Sequence, residues 1–122
     1  MTDEEAVIAA NERYYAAFAT RDPVAMNALW AVRTPVSCVH PGWMILEGRE
    51  DVLASWASIL GNETQPRVVP GGAKAVVLGE MAMVHCREFV AGAGLMATNL
   101  FVREDGAWRI FHHHASPVMV AR

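Results

Sequence analysis

The order of the predicted elements indicates an α+β fold, with helices packed on one face of a curved, mostly antiparallel sheet. Helical periodicity is concentrated in the first half of the chain, strand periodicity fills the second half, and turn-forming residues separate those strands. A chain of 122 residues is expected to form a single domain, 1–122, with one buried core.

The first two helices are predicted from their capping residues. Thr2 and Glu5 have the spacing of a capping box, and apolar residues follow them at helical intervals, so the first helix should cover about 3–20. The second, shorter helix should begin after Asp22, a favourable N-cap, because Pro23 suits the first helical position.

An early hairpin and a third helix follow. The stretch "VSCVHPGWMILEG", residues 36–48, reads as a strand, a turn at Pro41-Gly42 and a second extended piece. The stretch "REDVLASWASILGN", residues 49–62, predicts a helix with acidic residues in its first turn and Gly61 as its stop.

The remainder of the chain is expected to form a meander of strands. The predicted strands are 65–69, 73–79, 81–90, 95–104 and 107–117. Turns are expected at Gly79-Glu80, at the four-residue loop "AGAG" and at Asp105-Gly106, where Asp-Gly between apolar runs is a strong hairpin signal.

The last turn sets the orientation of three consecutive histidines. If Asp105-Gly106 is a two-residue turn, His112 and His114 point to one face of the sheet and His113 to the other. The residues predicted to share the face of His112 and His114 are Cys86, Glu88, Ala97, Asn99 and Phe101. Both faces are largely apolar, so we expect helices to cover one and a second subunit to cover the other, through contacts that include Leu100 and Phe111.

The composition narrows the class of partner. Apolar residues make up 53% of the chain, the net charge is −3, and no run of Lys or Arg is present. These values argue against nucleic acid or an anionic membrane as the partner. No apolar run approaches the roughly 20 residues of a membrane span, and "MTDEEA" does not resemble a signal peptide, so we expect a cytoplasmic protein.

Two segments carry a family resemblance. "CVHPGWMILEGREDVLASW" (38–56) and "MATNLFVREDGAWRIFHHHASPV" (96–118), with the opening helix, resemble the SnoaL-like branch of the nuclear transport factor 2-like (ketosteroid isomerase-like) superfamily. The resemblance implies a cone of helices against a strongly curved sheet that encloses a pocket, and commonly a homodimer through the outer sheet face. The superfamily includes isomerases, polyketide cyclases, epoxide hydrolases and a kinase oligomerisation domain, so the fold alone does not select a function.

The catalytic candidates are histidines and a glutamate. The isomerase and cyclase members use a pocket aspartate as base, but the four aspartates of this chain fall at helix starts or in a turn. Acid–base chemistry would then depend on His112 and His114 with Glu88, because partly buried groups of these types can be tuned towards neutral pH. The alternative is that these side chains satisfy one another or simply line a ligand.

Six further residues are predicted to line a ligand: Tyr14, His40, Trp43, Trp56, Asn99 and Phe101. For His40 a hydrogen bond that stabilises the Pro-Gly turn is an equal alternative, and for the tryptophans the alternative is plain core packing. Two histidines two residues apart, with a carboxylate on a neighbouring strand, could also bind a metal ion. The resemblance does not favour that site, so no metal and no cofactor are expected.

The sequence leaves open two functions from different classes. The first is binding or turnover of a small, mostly apolar molecule in the pocket, by isomerase-, cyclase- or hydratase-type acid–base chemistry if the protein is an enzyme. The second is a non-catalytic oligomerisation or interaction domain with a vestigial pocket. An open pocket with converging polar groups would favour the first.

Overall fold

The computed structural model describes residues 1–119 as three helices and six strands. The elements are α1 (Asp3–Ala19), α2 (Pro23–Leu29), β1 (Ser37–Val39), β2 (Leu46–Glu47), α3 (Arg49–Gly61), β3 (Val68–Leu78), β4 (Met81–Val90), β5 (Ala93–Glu104) and β6 (Ala107–Pro117). The predicted domain 1–122 extends three residues beyond this described part. No helix within residues 1–119 is both long and apolar enough to cross a membrane.

The helices begin where their capping residues predict. The Thr2 hydroxyl accepts a hydrogen bond from the Glu5 amide at 3.1 Å, and the Glu5 carboxylate accepts one from the Thr2 amide at 3.4 Å, which completes the capping box. Asp22 caps α2 by accepting a bond from the Ala25 amide at 3.1 Å. Gly61, the predicted stop, is the last residue of α3, and Asn62 is its C-cap.

The six strands form one sheet in the order β2-β1-β6-β5-β4-β3. Strands β1 and β6 are parallel and all other neighbours are antiparallel, so the predicted α+β architecture of helices on a curved sheet is confirmed. The segments 65–69 and 73–79 were expected to be separate strands. They form the single strand β3, because a bulge between Gly71 and Lys74 interrupts the pairing without ending the strand.

Two tight turns connect β4 to β5 and β5 to β6. Asp105 and Gly106 have φ values of 51° and 76°, as a type I′ hairpin turn requires. Ala91 and Gly92 have similar values, 50° and 81°, so this loop contains two residues rather than the predicted four. Alanine seldom adopts this left-handed conformation, which is why the shorter turn was not expected. Because side chains alternate along a strand, a loop that is shorter by two residues leaves each side chain of β4 and β5 on its predicted face.

A bulge in β6 reverses the predicted orientation of the histidines. The pairing follows the prediction as far as Phe101 opposite Ile110, but the next pair is Leu100 opposite His112. Phe111 is therefore an extra residue in β6, and every later side chain moves to the other face. The prediction that His112 and His114 face the helices was wrong, and His113 takes that position.

The helices pack on the inner face of the sheet and enclose the core. Its largest fully buried side chains include Trp30, Trp56, Tyr14, Phe101, Met26 and Ile110. The outer face carries exposed apolar side chains from three strands: Val69, Val76, Leu78, Met81, Phe89 and Met96, each more than 40% exposed. The inner face therefore carries the core, whereas the outer face of the isolated chain remains in contact with water.

Candidate functional site

A cavity of about 350 Å³ opens between the helices and the inner face of the sheet. This volume lies within the range of small-molecule sites. Apolar side chains from α1, α3 and the edges of β3, β4 and β5 form most of its wall, among them Phe18, Ile59, Val68 and Leu95. Four polar side chains, His40, Gln65, Glu88 and His113, converge on it.

His113 is the central polar residue of the site. It is 2% exposed, and its Nδ1 lies 2.6 Å from Oδ1 of Asn99. The amide nitrogen of Asn99 donates to Oδ1 of Asn11 at 2.8 Å and to the Tyr15 hydroxyl at 3.2 Å. Because Oδ1 of Asn99 is thus an acceptor, the proton of His113 resides on Nδ1. The lone pair of its Nε2 is then available on the side of the cavity.

Glu88 lies beside this lone pair. Its Oε2 is 3.9 Å from Nε2 of His113, and it accepts a hydrogen bond from the Tyr15 hydroxyl at 2.6 Å. Burial raises the pKa of the Glu88 carboxyl above its usual value, and the bond from Tyr15 lowers it in part. Cys86, whose Sγ is 3.3 Å from the same hydroxyl, completes this side of the network.

His40 forms the second imidazole of the cavity wall. Its Nε2 lies 2.9 Å from Oγ of Ser55, whose own hydroxyl proton is donated to the carbonyl of Val52 at 2.6 Å. His40 therefore donates from Nε2 and keeps a lone pair on Nδ1. Burial lowers the pKa of His40 to about 4 and, with the field of His40, that of His113 to about 3. Both imidazoles are neutral at pH 7.

The predicted ligand-lining residues divide into two groups. His40 lines the cavity as expected, and Trp43, 47% exposed, lies at its mouth, 4.9 Å from the His40 ring. The other four, Tyr14, Trp56, Asn99 and Phe101, are buried beneath the wall rather than in it. Trp56 and Tyr14 support the site from below, since their ring centroids lie 6.3 Å and 5.3 Å from that of His113.

The three predicted catalytic residues do not meet. Glu88 lies on the inner face as expected, but His112 and His114 lie on the outer face, where Oγ of Ser37 is 2.7 Å from Nδ1 of His112. The alternative metal site fails for the same reason, because the sheet separates Glu88 from both histidines. Within residues 1–119, no group of three or more His, Cys, Asp or Glu side chains is placed to hold a metal ion.

Three residues of the site, His113, Tyr15 and Asn11, were not predicted from the sequence. Asn11 and Tyr15 are four residues apart in α1, so their shared helical face was a usable signal. The sequence analysis instead chose the neighbouring apolar face of α1, which contains Tyr14, as the face that lines the site. His113 carried no such signal, because its orientation depends on the bulge.

Two solved structures are similar to this chain over nearly its whole length. An NTF2-like family protein from Streptomyces avermitilis, provisionally described as a dehydratase, is 34% identical, with 97% of each chain covered and a TM-score of 0.90. A protein from Thiobacillus denitrificans, provisionally described as a calcium/calmodulin-dependent protein kinase type II association domain, is 32% identical, with a TM-score of 0.80. That match covers 91% of this chain and 94% of the other.

A curated relative and a family profile complete the comparison. The F-box protein SKIP8 of Arabidopsis thaliana is 26% identical over 117 residues, which cover 94% of this chain and 51% of that protein. This chain thus spans about half the length of the curated relative that it matches. The profile of the SnoaL-like domain matches residues 7–121. The chain belongs to the SnoaL-like domain family, within the nuclear transport factor 2-like superfamily.

Proposed function

We propose that this protein binds a small, mostly apolar molecule in the cavity and acts on it by general acid–base catalysis. The observation that carries the proposal is the free Nε2 lone pair of a buried, neutral His113 beside Glu88. A neutral imidazole with a fixed tautomer keeps its lone pair free at pH 7. Burial lowers the pKa of His113 and so weakens it as a base, and a Glu88 carboxylate beside it would favour the protonated ring that a general base must form. The mainly apolar wall is suited to an apolar substrate.

The arrangement supports a proton transfer in two steps. Nε2 of His113 would take a proton from a carbon next to an electron-withdrawing group, and the imidazolium would form beside Glu88, whose carboxylate would stabilise the positive charge. The imidazolium would then return the proton, either to a departing hydroxyl, which gives dehydration, or to another carbon, which gives isomerisation. The Asn99 oxygen holds the ring in place during both steps.

The similarity to a protein provisionally described as a dehydratase supports this class of reaction. Within residues 1–119, no aspartate lines the cavity. Glu88 and His113 supply the acid–base groups there instead.

Exchange of carbon-bound hydrogen in D₂O tests the proposal without a known substrate. We expect the protein to catalyse the incorporation of deuterium next to the carbonyl of apolar ketones or enones. Nuclear magnetic resonance of the small molecule measures the rate. His113→Gln should reduce the exchange rate by about 10²–10⁴-fold. His114→Gln, a change one residue away on the outer face, is the matched control and should have no effect. No exchange above that of buffer, or equal exchange in His113→Gln, would contradict the proposal.

A second candidate function is self-association through the outer face of the sheet. It is favoured by the exposed apolar side chains of that face and by the 32% identical neighbour described as an association domain. Self-association and a working cavity are compatible, since the two lie on opposite faces of the sheet.

A further inference from the structure

We propose that the ligand of this cavity carries an anionic group, which binds Arg21 and Arg67 in a groove that continues from the cavity. The inference rests on the proposed function, because it assumes that the cavity holds a small molecule. It adds the chemical class of that molecule: an apolar body with a carboxylate or phosphate at one end.

The groove and the cavity are continuous. The groove, with a volume of about 490 Å³, lies between the end of α1, the end of α3 and the chain that leads into β3. Phe18, Ile59, Gln65 and Val68 line both spaces. A molecule with its apolar part in the cavity can therefore extend past Gln65 into the groove.

The groove is positively charged in an acidic chain. The sequence has 13 acidic and 10 basic residues, yet the described lining of the groove contains two arginines and no Asp or Glu. Within residues 1–119, Arg33, Arg103 and Arg109 form ion pairs with acidic side chains. Within residues 1–119, Arg21 and Arg67 form no ion pair. Their charges are available for an anion, which arginine binds through its planar set of donors.

Arg21 is held in position for this role. Its Nε donates to the carbonyl of Leu60 at 3.0 Å, which ties the guanidinium to the end of α3 and leaves its two terminal nitrogens for a ligand. The backbone of Arg21 has a φ of 56°, the left-handed conformation that glycine or asparagine usually supplies after a helix. Arg21 thus places a long cationic side chain at a strained backbone position directly after α1.

The probes for this inference are decanoate, decyl phosphate and 1-decanol, which share an apolar chain and differ at one end. Binding to the purified protein is measured by isothermal titration calorimetry, below the micelle concentration of the two anions and below the solubility limit of decanol. We expect both anions to bind more tightly than decanol. The double variant Arg21→Gln/Arg67→Gln should weaken binding of the anions about five- to tenfold and leave decanol unchanged.

Two further variants make the test independent of folding effects. Arg67→Gln alone removes a side chain that forms no hydrogen bond within the described part of the chain, and it should reproduce part of the loss. Arg13→Gln removes an exposed arginine of α1 that lines neither space, and it should change nothing. Tighter binding of decyl phosphate than of decanoate would assign the groove to phosphate esters, and the opposite order to carboxylic acids.

The outcomes separate this inference from the proposed function. Equal affinity of wild type for decanol and the two anions would overturn the inference and leave an apolar cavity intact. The same conclusion would follow if Arg13→Gln weakened anion binding as much as the double variant. Failure of all three probes to bind would contradict the cavity's proposed role, and the anion site with it.

Discussion

Nε2 of His113 and Oε2 of Glu88 lie 3.9 Å apart at the buried end of the cavity, and neither atom is hydrogen-bonded to the other. Each is instead fixed by the same helix: Tyr15 donates to Glu88, and Asn11 holds the amide that orients His113. One turn of α1 therefore positions both groups. Substitutions in this turn of α1 should therefore affect the site, as substitutions of His113 or Glu88 would.

We expect Tyr15→Phe to raise the pKa of Glu88 further, because the hydroxyl that donates to its carboxylate is removed. Titration followed by the carboxyl bands in the infrared spectrum measures this shift. The loss of a buried hydrogen bond should also lower the free energy of unfolding by about 1–2 kcal/mol.

Tyr14→Phe is the matched control for that change. Tyr14 is the adjacent residue and is equally buried, but its hydroxyl has no hydrogen-bond partner among residues 1–119. Its removal should leave the Glu88 titration unchanged and should not destabilise the protein. Equal effects of the two variants would show that Tyr15 does not act on Glu88 through its hydroxyl.

Two buried imidazoles predict that the protein loses stability on acidification. The pKa values of His40 and His113 are lowered to about 4 and about 3, against 6.5 for an exposed histidine. At pH values between 6.5 and the lowered pKa of each histidine, the unfolded chain binds more protons than the folded one. The free energy of unfolding therefore falls as pH decreases below 6.5. Each histidine adds a slope that approaches about 1.4 kcal/mol per pH unit.

Glu88 acts in the opposite sense over part of this range. Its pKa is raised, so its contribution to stability falls as pH rises through the folded value, and it partly offsets the histidines. Chemical denaturation between pH 4 and 7 should give a shallower slope in His40→Gln than in wild type. His85→Gln, at an exposed position on the outer face, should keep the wild-type slope. A wild-type slope in His40→Gln would mean that His40 is not neutral in the folded protein.

The sequence was sufficient to predict the order of the elements because their signals are local. The capping box at Thr2, the cap at Asp22 and the type I′ turn at Asp105-Gly106 each depend on residues a few positions apart. Glu88 was placed on the correct face, although its loop was misjudged, because a two-residue error preserves the alternation of a strand.

The site could not be completed in this way because it depends on one unpaired residue. Nothing local marks Phe111 as the bulge of β6, since apolar residues also precede it and the three histidines after it are identical. The extra residue exchanges the faces of His112, His113 and His114 together. Tyr14 was assigned to the site, but Tyr15 reaches the polar network. The two are adjacent on a helix that is buried on more than one side, so the sequence pattern did not separate them.

Glu104 is predicted to be a structural residue that maintains the path of the chain after α2. Its buried carboxylate accepts hydrogen bonds from the backbone amides of Val32, Arg33 and Thr34 and from the Thr34 hydroxyl, all between 2.9 and 3.0 Å. Burial alone would raise the pKa of Glu104, but these donors hold it below its usual value. Glu104→Gln should lower the free energy of unfolding by about 2 kcal/mol.

The neighbouring Asp105 provides the comparison for Glu104. Its carboxylate pairs with Arg33 at 2.9 Å, but both side chains are more than 60% exposed. Asp105→Asn should therefore change thermal unfolding little. If the two variants were destabilised equally, the buried hydrogen bonds of Glu104 would not be the cause.

Self-association through the outer face is the last prediction, and Leu100 is the position that tests it. Leu100 lies half-buried on β5, between Met83 on β4 and His112 on β6, in the middle of the exposed apolar surface. A surface of this kind is unfavourable in water unless a partner covers it.

We expect sedimentation at micromolar concentration to give about twice the chain mass of 13.3 kDa. Leu100→Asp should give the monomer, because a charge buried in the contact has no partner. Val24→Asp, at a 78% exposed position on α2, should leave the dimer intact. A wild-type monomer would contradict this prediction, and a dimeric Leu100→Asp variant would place the contact elsewhere.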